Sequence, residues 1–400
     1  MRKAWRSKML ETPAPKQGCF HLTYPNTEWQ EVPCRTAPDI PYPMRTGPAR
    51  DVGGAGGDFA AQVAGSISTA TGFWAGVSTN IGENGPGGAN DFALQLNTNQ
   101  FNTPVCAPPL TTPVTPQSPS CIGWQQFIFS NFSNGGFIQY WLLRYFDNRP
   151  ACSKDVDVEH GGCCPSGWNT FKSTPEIQGV PGCFRNGPMT SPATPLITLT
   201  AESLFELQLT GRATANTDTV IVFTDPVTSD TANGPDSVLD LAGNWKAVEF
   251  NIVGDGNSHQ ARFNDGSTID VMIDVGTEAT CATPGTGLTG ESNNLTIVQG
   301  DEGPCCATGS GIRFTQSNAA GAKSICDAGP HCLPPGASCS VTGGLGCCAI
   351  GGLHDCKNGF CVPHIPPSTC DGTPRPVTQC GRLGGWHCCD PDGWVCGNCQ

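Results

Sequence analysis

From about residue 58 to residue 320 the apolar positions recur at period two, and Pro, Gly, Asn and Asp clusters interrupt them at roughly the spacing of short strands. The pattern predicts strands at Phe92–Leu96, Trp124–Phe129, Phe137–Leu143, Leu204–Leu209, Thr219–Phe223, Trp245–Val253, Ser267–Val275 and Ile312–Thr315. Only 200–207 also reads as a short helix. Many antiparallel strands with one apolar face close economically as a β-sandwich, so the expected class is all-β.

Alternation also sorts side chains by face. Trp124, Gln126 and Ile128 share one face of their strand, and Gln125, Phe127 and Phe129 share the other. Farther on, Trp245, Ala247, Glu249 and Asn251 oppose Lys246, Val248, Phe250 and Ile252. Two strands thus present a Trp and a polar group away from an aromatic face. Were those faces to meet in one cleft, Glu249 could act as general base on water and Gln126 could donate its amide to a developing oxyanion. Tryptophan walls would desolvate the carboxyl and raise its pKa, which suits work in acid. The structural alternative is that a half-exposed strand carries Glu, Gln, Asn and Trp on its wet face without doing chemistry.

The order Trp124-Gln125-Gln126-Phe127, then Phe137-Ile-Gln-Tyr140-Trp141, then Asn244-Trp245-Lys-Ala-Val-Glu249-Phe-Asn251, and finally Phe314-Thr315-Gln316-Ser317-Asn318-Ala319 resembles the glutamic peptidases (eqolisins). The resemblance implies a concanavalin-like antiparallel β-sandwich, an acid-acting endopeptidase, a catalytic Glu249, and a catalytic Gln126 or Gln125. It also implies substrate contacts from Trp124, Trp141, Trp245, Asn251 and Tyr140. The cysteine content and the Pro-rich insert between Cys106 and Cys121 depart from the family, and they leave the choice between Gln125 and Gln126 open. A carbohydrate- or polymer-binding sandwich that stacks ligands on Trp74, Trp124, Trp141 and Trp245 is a second reading, and a structural extracellular protein without catalysis is a third. The expected ligand is a polypeptide or a polysaccharide, and the expected state is monomeric.

Cysteine changes the picture most. Of 24 cysteines, twelve precede residue 330 and twelve lie beyond it. Adjacent pairs such as Cys163-Cys164 and Cys305-Cys306 chelate a metal poorly, so disulfides made in an oxidising compartment are expected. Cys19 with Cys34, and Cys106 with Cys121, are candidate bridge residues. In the tail, Cys332, Cys339, Cys347, Cys348, Cys356 and Cys361 are followed by Cys370, Cys380, Cys388, Cys389, Cys396 and Cys399. This tandem pattern resembles two inhibitor-cystine-knot (knottin-like) modules, in which first would pair with fourth, second with fifth and third with sixth, one of 15 connectivities. Such small units rely on disulfides for stability, and Trp386 and Trp394 are candidate contacts there.

The expected organisation is a leader, strap or propeptide over 1–57, a body over 58–325, and cystine-knot-like modules over 326–365 and 366–400. Gly53 to Gly57 reads as a flexible linker. The chain carries 51 Gly and 35 Pro, which suits short strands and turns. A net charge of -13 with no Lys/Arg cluster disfavours nucleic acid. No apolar run is long enough to span a bilayer. Secretion is expected from the cysteines, although the basic start through Gln17 has no apolar stretch and is not a recognisable signal peptide.

No motif signals a cofactor. The Gly285-Thr-Gly287-Leu-Thr-Gly290 match lacks a βαβ setting. His259 reads as a turn residue, and Asp265 to Asp270 lacks the ligand periodicity of a calcium loop. Asn131-Phe-Ser and Asn294-Leu-Thr are glycosylation sequons.

Overall fold

The computed structural model describes residues 2–43, 58–106, 120–145, 164–173, 180–191, 197–256, 259–282 and 291–328, together with the backbone of five short tail strands. Two compact units result, 1–328 and 329–400.

Unit 1 is all-β and built on two antiparallel sheets. Its sheet strands are β1 (Gly18–Thr23), β2 (Gln30–Val32), β3 (Ala60–Gln62), β4 (Thr69–Val77), β5 (Phe92–Thr98), β6 (Ile122–Ser130), β7 (Gly135–Leu143), β8 (Asn169–Phe171) and β9 (Gly182–Asn186). They continue as β10 (Gln208–Thr214), β11 (Thr217–Phe223), β12 (Thr228–Gly234), β13 (Ala247–Gly254), β14 (Thr268–Asp274), β15 (Thr280–Ala282), β16 (Thr296–Ile297), β17 (Cys305–Ala307) and β18 (Gly311–Ser317). One sheet has ten strands in the order β2-β1-β12-β11-β10-β4-β14-β18-β16, with β17 also on β18. The other has eight, in the order β8-β9-β7-β6-β5-β13-β3-β15.

The sheets pack face to face through Phe127 and Phe250, both of which alternation assigned inward. Phe250 of β13 lies 5.0 Å from Trp74 of β4, and Phe127 of β6 stacks on Trp245 at 5.4 Å. Close approach needs glycine opposite these rings: a Cβ at Gly72 would meet the Phe250 ring at 2.1 Å, and one at Gly211 would meet Phe127 at 2.4 Å. Burying each such ring contributes roughly 1.5–3 kcal/mol.

Two expectations are corrected. Leu204 to Glu206 do not open a strand, because Thr200 caps a helix, α2 (Ala201–Glu206). The Thr200 hydroxyl accepts from the Ser203 amide at 3.1 Å and the Ser203 hydroxyl accepts from the Thr200 amide at 2.8 Å, a local capping box that outweighs the alternation. Trp245 precedes its strand, which starts at Ala247. Its ring turns into the space between the sheets.

The first 43 residues wrap both sheets. Helix α1 (Arg2–Glu11) lays Trp5 and Met9, four apart and so on one helical face, against Leu22, Ile221 and Phe223 on the outer side of the ten-stranded sheet. Strand β1 pairs along its whole length with β12. Residues 37–43 then reach the outer face of the eight-stranded sheet, where Tyr42 packs with Ile128, Phe137 and Val253.

Disulfides join Cys19–Cys34, Cys106–Cys121, Cys164–Cys183, Cys281–Cys305 and Cys306–Cys326. The adjacent Cys305 and Cys306 therefore go to different partners, and Cys281–Cys305 ties β15 of one sheet to β17 of the other. Several disulfides suit an extracellular or otherwise oxidising environment. No helix among the described residues is long and apolar enough to cross a membrane.

In unit 2 the backbone of Cys347–Ala349, Gly352–Lys357 and Phe360–Pro363 forms a three-stranded antiparallel sheet, and Cys388–Cys389 pairs with Val395–Cys396. The knot pairing of the tail cysteines, Trp386, Trp394, the Gly53–Gly57 linker and the Gly285–Gly290 loop lie outside the described residues.

Candidate functional site

The outer face of the eight-stranded sheet carries a row of polar side chains that strand register alone puts in line. Asn186 of β9 stands opposite Gln139 of β7, Gln139 opposite Gln126 of β6, Gln126 opposite Asn97 of β5, and Asn97 opposite Glu249 of β13. Asn97, Gln126, Gln139 and Glu249 each adjoin an inward apolar residue, and register puts Asn186 on the same side, so the row faces away from the sandwich core.

The row is hydrogen-bonded from end to end. Asn97 Nδ2 donates to Glu249 Oε2 at 2.9 Å, and Gln126 Nε2 donates to Asn97 Oδ1 at 2.9 Å. Gln126 thus stands one amide side chain away from the Glu249 carboxyl. Trp141 Nε1 donates to both Gln126 Oε1 and Gln139 Oε1 at 3.0 Å. That contact occupies the amide oxygen of Gln126, whose NH2 donates along the row to Asn97 and also to Gln95 Oε1 at 3.3 Å. Gln139 Nε2 donates to Asn186 Oδ1 at 2.7 Å.

Apolar clusters wall the row on both sides. Trp124, Trp141, Leu143, Phe171, Val180 and Phe184 form one wall, with the two indoles 6.1 Å apart. Tyr42, Ala93, Ile128, Phe137, Met189 and Val253 form the other. Gln126 and Glu249 are 0% and 1% exposed. Part of the cover is the N-terminal strap. The Tyr42 amide donates to Gln139 Oε1 at 2.8 Å, the Tyr42 hydroxyl donates to Asp255 Oδ1 at 2.7 Å, and Gln139 Nε2 donates to the Ile40 carbonyl at 2.9 Å.

A second acid joins Glu249. Asp58, just before β3, is 3% exposed and lies within hydrogen-bonding reach of the Glu249 carboxyl. Asn251 Nδ2 donates to Asp58 Oδ2 at 2.6 Å, and the Phe59 amide donates to Asp58 Oδ1 at 2.8 Å. Burial, and then the neighbouring Glu249, push the Asp58 carboxyl well above the usual carboxylate range. Burial likewise lifts Asp255 to about 7.

The other sequence candidates go elsewhere. Gln125 and Tyr140 stand opposite each other but face between the sheets. There Gln125 Nε2 donates to Asp218 Oδ2 at 2.9 Å, and burial lifts Asp218 to about 8. Trp245 packs on Phe127 and is likewise away from the row. Trp124 and Trp141 border the row, and Asn251 holds Asp58. Asn97, Gln95, Gln139 and Asn186 were not singled out in the sequence, although the same parity rule that selected Gln126 marks them: Gln95 and Asn97 alternate with Phe92, Leu94 and Leu96, and Gln139 with Ile138 and Tyr140. Asp58 has no such signal.

Among the described residues, no group of three or more His, Cys, Asp or Glu could hold a metal ion. Asn131 is fully buried and donates to the carbonyls of Asn90 and Ile197, so this sequon is closed to a glycan in the folded chain.

No family model, curated protein or solved structure compared with the chain matches it.

Proposed function

We propose that the chain is a secreted acid-acting endopeptidase of the glutamic type, held closed by its N-terminal strap. The observation that carries the reading is the single line Gln126–Asn97–Glu249 on one sheet face, between aromatic walls. In this reading Glu249 accepts a proton from water as the oxygen attacks a peptide carbonyl. The Gln126 amide donates to the oxygen that gains charge. Glu249 then returns the proton to the leaving nitrogen. Low dielectric around the row strengthens both contacts.

Closure supports a latent form. Tyr42 and Ile40 bond to Gln139 within the row, and the Cys19–Cys34 bridge closes on the strap itself. A cut between 43 and 58 therefore leaves the strap held by no described disulfide to the body. Opening the row requires it to leave. The platforms of the ligand-stacking alternative, Trp74, Trp124, Trp141 and Trp245, are 3%, 0%, 0% and 0% exposed.

The test is casein cleavage in acid by the wild type and by Glu249→Gln, with N-terminal sequencing of the incubated protein. The expected result is cleavage by the wild type alone, with new termini between residues 43 and 58. Equal inactivity of the two proteins ends the reading, and an active enzyme that still begins at Met1 ends the strap's role.

A further inference from the structure

We infer that Asp58 is the positioning partner of Glu249, and that the two carboxyls form one unit holding a single proton in the working enzyme. The inference rests on the hydrolytic reading above.

The geometry comes from three elements. Strand β13 brings Glu249 opposite Ala60 of β3, and Asp58 lies two residues earlier along the same extended chain, hence on the same side. Each acid is anchored independently. Asn97 holds Glu249 from β5, while Asn251 and the Phe59 amide hold Asp58. The anchors themselves are fixed: Asn251 Nδ2 also donates to Gln316 Oε1 of β18 at 2.9 Å, and Asn293 Nδ2 donates to Asn251 Oδ1 at 3.3 Å. The groups turned towards the pair from β5, β18 and the segment at Asn293 are thus neutral amides, Asn97, Gln316 and Asn293. No guanidinium or ammonium is among these anchors. Two buried carboxylates in hydrogen-bonding reach of each other cannot both ionise cheaply, so one proton stays between them.

That proton gives Asp58 its role. It pins the Glu249 carboxyl in one rotamer, and Glu249 is the member of the pair that receives a proton from water. The pair starts with one proton and net charge -1. Attack forms the C–O bond and moves one water proton to Glu249. Breaking the C–N bond moves that proton on to the amine nitrogen, and the pair returns to one proton. One water is consumed and one amide bond is broken. A pair with two protons has no base, which gives an acid limb. A pair with none places a second charge beside the developing oxyanion and drives the two carboxyls apart, which gives an alkaline limb.

The experiment compares wild type, Asp58→Asn and Glu249→Gln after acid incubation, by pH profile on a peptide substrate and by carboxyl NMR titration. The wild type should give a bell. Asp58→Asn should keep the acid limb and lose the alkaline one, so it retains a larger share of its optimum rate at neutral pH than the wild type does. In the NMR titration each single variant should convert a widely split pair of transitions into a single transition of the remaining acid. An unchanged bell in an active Asp58→Asn, or carboxyls whose titrations ignore each other's substitution, overturns the pairing. Absence of peptide cleavage by the wild type at any pH overturns the hydrolytic reading instead, and the titration still decides whether the pair exists.

Discussion

Gln125 and Gln126 are adjacent in sequence and identical in chemistry, yet they serve opposite sides of one sheet. Gln125 points between the sheets, donates to Asp218 and stands beside Tyr140. Gln126 points outward, lies one amide from Glu249 and is bonded by Trp141. Each cluster therefore contains a glutamine, an acid whose neighbourhood is dry, and an aromatic ring. What separates them is the cover. The inner cluster is closed by the ten-stranded sheet, whereas the outer one lies partly under residues 37–43, the end of a strap whose described disulfide is internal. Burial alone does not mark a site, since both clusters are buried.

The largest expected difference between the two clusters is in rate. Glu249→Gln should lower acid peptide cleavage by roughly 10²–10⁴-fold, the usual contribution of a general base, while Asp218→Asn leaves it close to wild type. A comparable loss in both variants, measured on folded protein, would erase the distinction.

Stability against pH should report the inner cluster. Folded Asp218 keeps its proton up to about 8, and the unfolded chain releases it near the ordinary 3.8. Between those values the folded state binds more protons, so stability falls as pH rises. Asp255, lifted to about 7, acts in the same direction. Thermal melts should therefore show the highest Tm near pH 4 and a steady decline towards pH 8, on the order of 5–10 °C. Asp218→Asn should flatten that decline. A Tm that rises across this range would contradict the burial of these acids.

The smallest effect belongs to the strap. Tyr42→Phe removes the hydroxyl donor to Asp255, a bond to a charged or part-charged acceptor worth about 1.5–3 kcal/mol. Hydrogen exchange should quicken over residues 37–43 while the amides of β6 and β7 stay protected. Uniform quickening would mean that the strap and the sheet open together.

Much of this was legible in the sequence, and the reasons are specific. Alternation is legible in β6 and β13 because one face of that sheet packs on the second sheet and the other carries the polar row, so a one-residue slip would exchange Phe127 for Gln126. The outward set of Trp124, Gln126, Glu249 and Asn251 could therefore be read by parity alone. Three things were not legible. Helix α2 depends on a capping contact between Thr200 and Ser203, which competes with an alternating pattern over the same residues. Trp245 sits two positions before its strand begins at Ala247, so parity no longer applied to it. Asp58 follows a glycine-rich stretch that gives no register, and only the pairing of β3 with β13 brings it to Glu249. Helix α1 was missed because its mean composition is polar, and its two anchors, Trp5 and Met9, find their partners in β1 and β11 far along the fold.

The most direct measurement sets the two adjacent glutamines against each other. Acid peptide cleavage would be compared for Gln126→Ala and Gln125→Ala, with Tm recorded for both. The account predicts that Gln126→Ala loses about 10²–10³-fold in kcat, as removal of an oxyanion donor does. Gln125→Ala should keep its kcat and lose stability by roughly 1–3 kcal/mol, because Asp218 is left without its donor. A greater loss of rate in Gln125→Ala than in Gln126→Ala would contradict the assignment of the outer face.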